Sequence, residues 1–134
     1  MTSDGRDRIE TLARRQPLFV EPGATLRGVA HTMWAEDVGA LVVGDPRHPI
    51  GLISERDVVA ELGQGADPDA KTAEEAMTNY VVSARLGDPL FDAASEMVDD
   101  GIRHLPVVDD GGNVVGMISA RDLLRPLLLD ALGG

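Results

Sequence analysis

The chain has 134 residues, of which 43% are hydrophobic and 3% aromatic, no cysteine and a formal net charge of −11. This composition predicts one domain, or two small units that share an aliphatic core. It excludes disulfides and thiolate metal sites, and the acidic balance argues against a nucleic-acid partner. The polar N-terminal residues contain no signal sequence and no segment is long enough to span a membrane, so we expect a cytoplasmic protein.

The sequence contains an internal repeat. Residues 50–57 read IGLISERD and residues 115–122 read VGMISARD, 65 positions later. Upstream, residues 41–43 match 106–108 at a spacing of 65, whereas the helical positions 26, 30 and 33 match 90, 94 and 97 at 64. The change of spacing predicts a one-residue insertion near Gly101. We expect two repeats, residues 1–66 with an N-terminal helix and residues 67–134, joined by a linker rich in Gly, Asp and Pro.

The first repeat begins with an apolar run, residues 18–20, which predicts a strand. A helix with apolar residues at helical spacing follows; Thr25 is its predicted cap and Gly39 its predicted end. Two further apolar runs, residues 40–43 and 50–53, flank a turn and predict a β-hairpin. A second helix is expected over residues 56–62.

The second repeat gives the same pattern. Its predicted elements are a strand at 80–82, a helix that Asp88 caps and Gly101 ends, strands at 105–108 and 114–118, and a helix from Arg121 to about Leu132 that Pro126 could distort. The order β-α-β-β-α, found twice, predicts an α+β fold. Because a three-stranded sheet of this size cannot cover both of its faces, we expect the repeats to pack sheet to sheet with pseudo-two-fold symmetry and a cleft on each side.

The shared motif Gly-x-Ile-Ser-x-Arg-Asp, at 51–57 and 116–122, falls where a strand ends and a helix begins. Backbone N–H groups at a helix start, together with serine and arginine side chains, suit a phosphate, and a carboxylate one turn later suits a ribose diol. The alternative interpretation is structural. Ser and Asp at this spacing also form a capping box, so the motif could do no more than begin each helix.

These motifs, with residues 101–108 (GIRHLPVV) and 76–78 (AMT), resemble tandem cystathionine-β-synthase (CBS) domains over about residues 10–130. The resemblance implies a stand-alone regulatory pair, a Bateman module, rather than an enzyme. It implies an adenosine-containing ligand in the cleft between repeats, with no metal and no required cofactor. Because of the net charge, we expect AMP or ADP in preference to ATP.

The resemblance also implies roles for individual residues. Asp57 and Asp122 hold ribose hydroxyls, the Ser and Arg of each motif face phosphate, and Arg103 and His104 add positive charge. The expected nucleotide site consists of Tyr80, Val81, Arg103, His104, Leu105, Pro106, Ser119, Arg121 and Asp122. A second, weaker site consists of Phe19, Val20, Ala40, Ser54, Arg56 and Asp57. The second repeat is favoured because the first has no Arg, His or Pro where the second has residues 103–106.

The remaining candidates are weaker. His31, His48 and the carboxylate pairs 99–100 and 109–110 suit helix surfaces and turns better than metal binding or catalysis. Met33 and Met97 suit the core. A stripe on the last helix predicts a partner surface; it consists of Leu123, Leu124, Leu127, Leu128 and Leu132. The resemblance implies that this surface forms a homodimer, and it also implies a regulated protein that the sequence does not identify. Three alternatives stay open: a ligand-free interaction scaffold, a module that binds NAD or S-adenosylmethionine, and a regulatory fragment of an enzyme.

Overall fold

The computed structural model describes residues 17–79 and 83–133, and these ranges form two compact units. Each contains a three-stranded mixed sheet and helices, so the α+β prediction is confirmed. The elements are β1 Phe19–Val20, α1 Leu26–Glu36, β2 Ala40–Gly44, β3 Pro49–Ser54, α2 Glu55–Gly63, α3 Ala73–Ala76, β4 Ala84–Arg85, α4 Leu90–Asp100, β5 His104–Val108, β6 Val114–Ser119 and α5 Ala120–Ala131. The predicted N-terminal helix and the strand predicted at 80–82 lie outside the described residues.

In the first unit β1 pairs in parallel with β2, and β2 pairs antiparallel with β3. The central strand, β2, contains no polar side chain, as is typical of a strand that is buried between its neighbours. Leu41 and Val43 alternate along β2 on the face covered by helices, where they meet Leu26 and Val29 of α1 and Ile53 of β3. Met33 also lies in this aliphatic core, as predicted.

The second unit repeats this arrangement with β4, β5 and β6. Leu105 and Val107 of β5 form a core with Leu90 of α4, Ile118 of β6 and Leu123 of α5. Met97 fills the same core, as predicted. Leu123 is therefore not part of an exposed stripe, since the residue is 3% exposed, whereas Leu124, Leu128 and Leu132 are on the surface. The side chain of Leu127 lies outside those described.

The strand registers correct the predicted alignment of the repeats. Leu41 pairs with Ile53 and Leu105 pairs with Ile118, so Leu41 corresponds to Leu105, at a spacing of 64. The first helix of each unit and the strand after it are all related by 64. The extra residue therefore lies in the hairpin turn, residues 45–48 against 109–113, and not near Gly101. A turn accommodates an insertion without moving any buried side chain to the other face of the sheet.

In the described part of the second unit, the first strand is β4, Ala84–Arg85. Ala84 pairs with Val107 as Val20 pairs with Val43, so Ala84 is the counterpart of Val20. The apolar run 80–82 suggested an earlier strand. Ala84 and Arg85 pair with β5 instead, and a small residue followed by an arginine has no apolar alternation from which a strand could be predicted.

Helix ends were predicted partly correctly. The Thr25 side chain accepts a hydrogen bond from Gly28 N and caps α1, and Gly101 ends α4 in the left-handed conformation, both as predicted. α1 instead ends at Asp37, with a φ of 53°, two residues before Gly39. Asp88 does not cap α4; its carboxylate accepts from Arg85 N, and Pro89 is the N-cap residue without a side-chain bond. α5 continues through Pro126.

Residues 67–79, which the sequence assigns to the second repeat, pack with the first unit. Leu26 N donates to Lys71 O at 2.9 Å, and Ala73 N donates to Ala24 O at 2.7 Å. Arg27 makes a two-pronged ion pair with Asp69, with nitrogen–oxygen distances of 2.6 and 3.0 Å. We call this segment the strap, because these bonds tie it across the start of α1.

The end of the strap lies along the free edge of β3. Leu52 N donates to Thr78 O at 3.2 Å and Thr78 N donates to Leu52 O at 2.9 Å, which is one step of an antiparallel ladder. The neighbouring Gly51 makes this approach possible. A Cβ atom built there would lie 2.6 Å from Thr78 O and would collide with Met77 Sδ. The strap therefore protects an edge that would otherwise be open to pairing with another chain.

We expect Gly51→Ala to lower the free energy of unfolding by about 1–3 kcal/mol, because an added methyl group must displace the strap. Urea denaturation followed by circular dichroism measures this loss. Gly63→Ala is the matched control, since a Cβ atom at Gly63 meets nothing within 4 Å. Equal stabilities of the two variants would contradict the tight contact between Gly51 and the strap.

Among the described residues, four carboxyl groups have a pKa below the ordinary value, because they accept hydrogen bonds at turns, at a helix start and in the ion pair. Asp45, Asp69 and Glu75 are exposed and Asp109 is half-buried. The donors, in order, are the backbone of His48 for Asp45, the Arg27 side chain for Asp69, the backbone of Thr72 for Glu75 and the backbone of Asn113 for Asp109. Each bond is weakened when the carboxylate is protonated, because the acceptor loses its charge.

These lowered pKa values predict that the free energy of unfolding falls at acidic pH. A carboxyl whose folded pKa is depressed contributes fully above its ordinary pKa, 3.8 for Asp and 4.5 for Glu, and loses that contribution as the pH falls through the folded value. We therefore expect these groups to add no pH dependence above about pH 5 and to lower stability progressively below about pH 4. Urea midpoints measured from pH 7 to pH 3 test this, and Asp69→Asn should flatten the decline.

Candidate functional site

In the first unit the repeated motif forms the junction between β3 and α2. Ser54 is the N-cap residue, and its hydroxyl accepts from Asp57 N at 3.3 Å. Asp57 Oδ2 accepts in return from Ser54 N at 2.8 Å and from the Ser54 hydroxyl at 3.0 Å. The junction is therefore a complete capping box, which satisfies backbone donors that would otherwise lack partners.

The second unit has the same junction between β6 and α5. Ser119 N donates to Asp122 Oδ2 at 2.9 Å, and Asp122 N donates to Ser119 Oγ at 3.2 Å. Helix capping, one of the two interpretations of the motif, is thus confirmed for both copies. Capping does not consume the whole motif. These bonds use Oδ2 of Asp122 and leave Oδ1 outside them, and they use Ser119 Oγ as an acceptor.

Two exposed arginine residues, Arg103 and Arg121, lie at the second junction. Arg121 is exposed in the first turn of α5. Arg103, also exposed, is held at the same place by its backbone, because its carbonyl oxygen accepts from Ala120 N at 2.7 Å. His104 pairs with Ser119 across the hairpin. The structure therefore brings together Arg103, His104, Ser119, Arg121 and Asp122, all of which the sequence predicted for one site.

The first junction has the same frame and fewer charges. Gly39 takes the position of Arg103, since its carbonyl oxygen accepts from Glu55 N at 3.0 Å. Ala40 replaces His104 and pairs with Ser54, and Arg56 is exposed in the first turn of α2. An anion at this junction would meet one arginine where the second junction offers two. Comparing the sequences of the two repeats predicted this difference in charge. The strand register adds that Gly39 is the counterpart of Arg103.

The apolar residues predicted for the two nucleotide sites are placed less uniformly. The Leu105 side chain is buried in the core of its own unit, and Pro106 on the opposite face of β5 is also buried. Phe19 and Val20 are half-buried, and Ala40 is buried. Leu105 can therefore meet a ligand only through its backbone. Tyr80 and Val81 lie outside the described residues. Ser83 and Ala84, which the sequence analysis missed, hold the positions that correspond to Phe19 and Val20.

The histidines outside this cluster lie at the surface. His31 is exposed on α1, and His48 lies in the hairpin turn, where Nδ1 is 3.5 Å from Asp45 Oδ1. Within residues 17–79 and 83–133 no group of His, Asp and Glu side chains has the geometry of a metal site. Among the same residues no helix combines the length and the hydropathy that crossing a bilayer requires.

Comparison with known proteins supports the resemblance seen in the sequence. An uncharacterized protein, MK0525 of Methanopyrus kandleri, is 35% identical over 116 residues, which cover 85% of this chain and 59% of that protein. An uncharacterized 17.7 kDa protein of Acidianus ambivalens is 33% identical and is covered to 73%. The chain thus spans less than two thirds of the first relative and about three quarters of the second.

Solved structures agree. A CBS domain protein of Pyrobaculum aerophilum, PAE2072, complexed with AMP, superposes with a TM-score of 0.85 at 32% identity, with 96% of this chain and 100% of that chain covered. The CBS domain pair of protein MJ0100, in complex with 5-methylthioadenosine and S-adenosylmethionine, gives a TM-score of 0.80 at 26% identity, with coverage of 89% and 98%. The family model of the CBS domain matches residues 9–64 and 73–129. The chain therefore belongs to the CBS domain family and carries the domain twice.

Proposed function

We propose that this CBS pair is a non-catalytic regulatory module that binds an adenosine-containing nucleotide at the junction of β6 and α5. The observation that carries the proposal is the convergence of Arg103, Arg121, Ser119 and Asp122 at one helix start. A helix start already favours an anion, and two arginines strengthen that preference. The ligand is proposed to occupy the cleft beside Asp122 that the duplicated sequence predicts.

Each of these residues has a distinct proposed task. Asp122 Oδ1 accepts hydrogen bonds from the ribose hydroxyls, while Oδ2 maintains the cap. The Ser119 hydroxyl donates to a phosphate oxygen, and Arg103 and Arg121 neutralise phosphate charge. Because the guanidinium groups are the local compensation for a net charge of −11, we propose AMP or ADP as the preferred ligand, with ATP weaker.

The relatives support the ligand class without naming the ligand. The Pyrobaculum protein binds AMP, and the MJ0100 pair binds 5-methylthioadenosine and S-adenosylmethionine. All three ligands contain adenosine, so the shared element is a ribose and a purine. A phosphate is present only in AMP, and the arginines of this chain favour that ligand over the sulfur-containing ones.

Isothermal titration calorimetry with adenosine, AMP, ADP, ATP, NAD and S-adenosylmethionine tests the proposal. We expect heat with AMP and ADP, and weaker binding of adenosine because it offers the arginines no phosphate. Tightest binding of S-adenosylmethionine or NAD would replace the proposed ligand. No heat with any of these compounds, together with an unchanged melting temperature, would establish the alternative, a scaffold in which the motif only caps helices.

We further propose that the module acts as a cytoplasmic homodimer and transmits ligand binding to a regulated protein. Exposed leucines on α5, at positions 124, 128 and 132, support a partner surface. The conformational shift available for signalling is limited by the difference in ligand affinity between the two arrangements. Sedimentation velocity with and without AMP measures the assembly.

A further inference from the structure

The side chain of Met77 joins the end of the strap to the first unit. Met77 N donates to Ala73 O at 2.8 Å, and the side chain packs against the apolar core of that unit. Its Cγ and Sδ atoms fill the space beside Gly51, since a Cβ atom built at Gly51 would lie 2.9 Å from Met77 Cγ and would collide with Sδ. The next residue, Thr78, makes the two hydrogen bonds to Leu52. The thioether therefore packs directly beside the bonds that hold the strap on β3.

Met77 differs from the core methionines in its exposure to solvent. Met33 and Met97 are 6% and 5% exposed, and each fills the core of its unit. Met77 and Met117 are half-buried, so solvent reaches part of each residue. The chain has no cysteine, whose thiolate would otherwise compete for an oxidant. Among the described residues, the half-buried thioethers are therefore the side chains on which a peroxide acts first.

From these observations we propose that Met77 is an oxidation site and that its sulfoxide releases the end of the strap from β3. The oxidant is hydrogen peroxide. A lone pair of the Met77 sulfur attacks one peroxide oxygen, the O–O bond breaks, and the second oxygen leaves as water after proton transfer. The sulfur loses two electrons and the peroxide gains them, so the product is methionine sulfoxide. Neither step requires the proposed nucleotide.

The sulfoxide oxygen does not suit the place that the thioether occupies. The oxygen is a polar acceptor, and burial of a polar group without a hydrogen-bond donor is unfavourable. The surroundings of the sulfur are apolar core side chains and the Gly51 backbone, and the neighbouring Leu52 N already donates to Thr78 O. Solvation of the oxygen therefore requires the side chain to leave Gly51. Because Thr78 follows directly, its pairing with Leu52 opens and the edge of β3 is exposed.

Peptide mass spectrometry of the full chain, after brief treatment with dilute hydrogen peroxide, locates the modification. We expect the gain of one oxygen atom at Met77 before any gain at Met33 or Met97, because those two residues are enclosed in the cores. Met77→Leu is the resistant variant, since leucine has a similar volume and no sulfur. Oxidation of Met33 or Met97 ahead of Met77 in the native protein would overturn the proposal.

Residue-resolved amide hydrogen exchange reports whether the strap leaves β3. The measurement uses the variant Met117→Leu, so that Met77 is the only half-buried methionine among the described residues. After peroxide treatment we expect the amides of Leu52 and Thr78 to exchange roughly tenfold faster or more, because their mutual hydrogen bonds open. The amide of Val42, which forms its bond on the β1 side of the sheet, should keep its exchange rate.

Two controls separate the sulfoxide from other oxidative damage. The double variant Met77→Leu with Met117→Leu should exchange after peroxide treatment as it does before. Methionine sulfoxide reductases, applied to the oxidised protein, should restore slow exchange because the thioether is regenerated. Unchanged exchange of Leu52 and Thr78 in the oxidised protein contradicts the proposal. Faster exchange in the treated double variant contradicts it as well, since the change would then arise without a sulfur at position 77.

Discussion

Asp122→Ala is expected to weaken AMP binding by roughly thirtyfold or more. The reason is the loss of hydrogen bonds from the ribose to a charged acceptor, which contribute about 1.5–3 kcal/mol each. The same substitution removes half of a capping box, at a cost of about 1 kcal/mol in stability. Calorimetry measures the first effect and urea denaturation the second.

Asp57→Ala is the matched control for this experiment. Asp57 forms the same capping box with Ser54 that Asp122 forms with Ser119, so its removal should cost a similar amount of stability. Its junction has Gly39 where the other has Arg103, so AMP binding should stay nearly unchanged. If both variants lose stability and neither loses affinity, the carboxylates serve the helices alone. If Asp57→Ala abolishes binding, the ligand site belongs to the first repeat.

The second prediction is a large loss of stability when a leucine in the core of either unit is truncated. Leu41→Ala and Leu105→Ala should each lower the free energy of unfolding by about 2–5 kcal/mol, because each leaves a cavity beside a central strand. Both side chains are 0% exposed and occupy equivalent positions. Losses of similar size in urea denaturation would support the corrected alignment, which makes these leucines counterparts.

Leu124→Ala provides the comparison on the surface. Leu124 is 57% exposed, and its replacement should change the stability of the monomeric fold by no more than about 0.5 kcal/mol. The same variant should weaken the proposed dimer. A loss as large as that of Leu105→Ala, at a concentration where the chain is monomeric, would place Leu124 in the core and remove it from the partner surface.

The duplicated pattern was enough to predict the hairpin and the two longer helices of each unit, because buried strands and amphipathic helices leave strong periodic signals. It did not predict the short elements α3 and β4. The register was harder to predict. Valines follow one another in both central strands, so residues 41–43 match 106–108 about as well as the correct 105–107. Only the backbone pairing of Leu41 with Ile53, and of Leu105 with Ile118, decides between them.

The candidate site was predictable to a similar degree. Ser119 and Asp122 came from the repeated motif, and the structure places Arg103 beside them through the bond between its carbonyl oxygen and Ala120 N. The burial of Leu105 was not foreseen as a limit on ligand contact, because an apolar residue suits a core and an adenine equally well. The alternation of side chains along β5 decides whether Leu105 faces the core, and this alternation can be applied only when the strand register is known.

The strap has a consequence for dissecting the protein. The boundary between the two sequence repeats, at residue 66, is not the boundary between the two folded units. Residues 67–79 come after the first sequence repeat but complete the fold of the first unit through Lys71, Asp69 and Thr78. A fragment that stops at residue 66 would expose the edge of β3 and leave Arg27 without its carboxylate. Expression of the first half as an isolated protein should therefore extend through Asn79, and shorter truncations should aggregate.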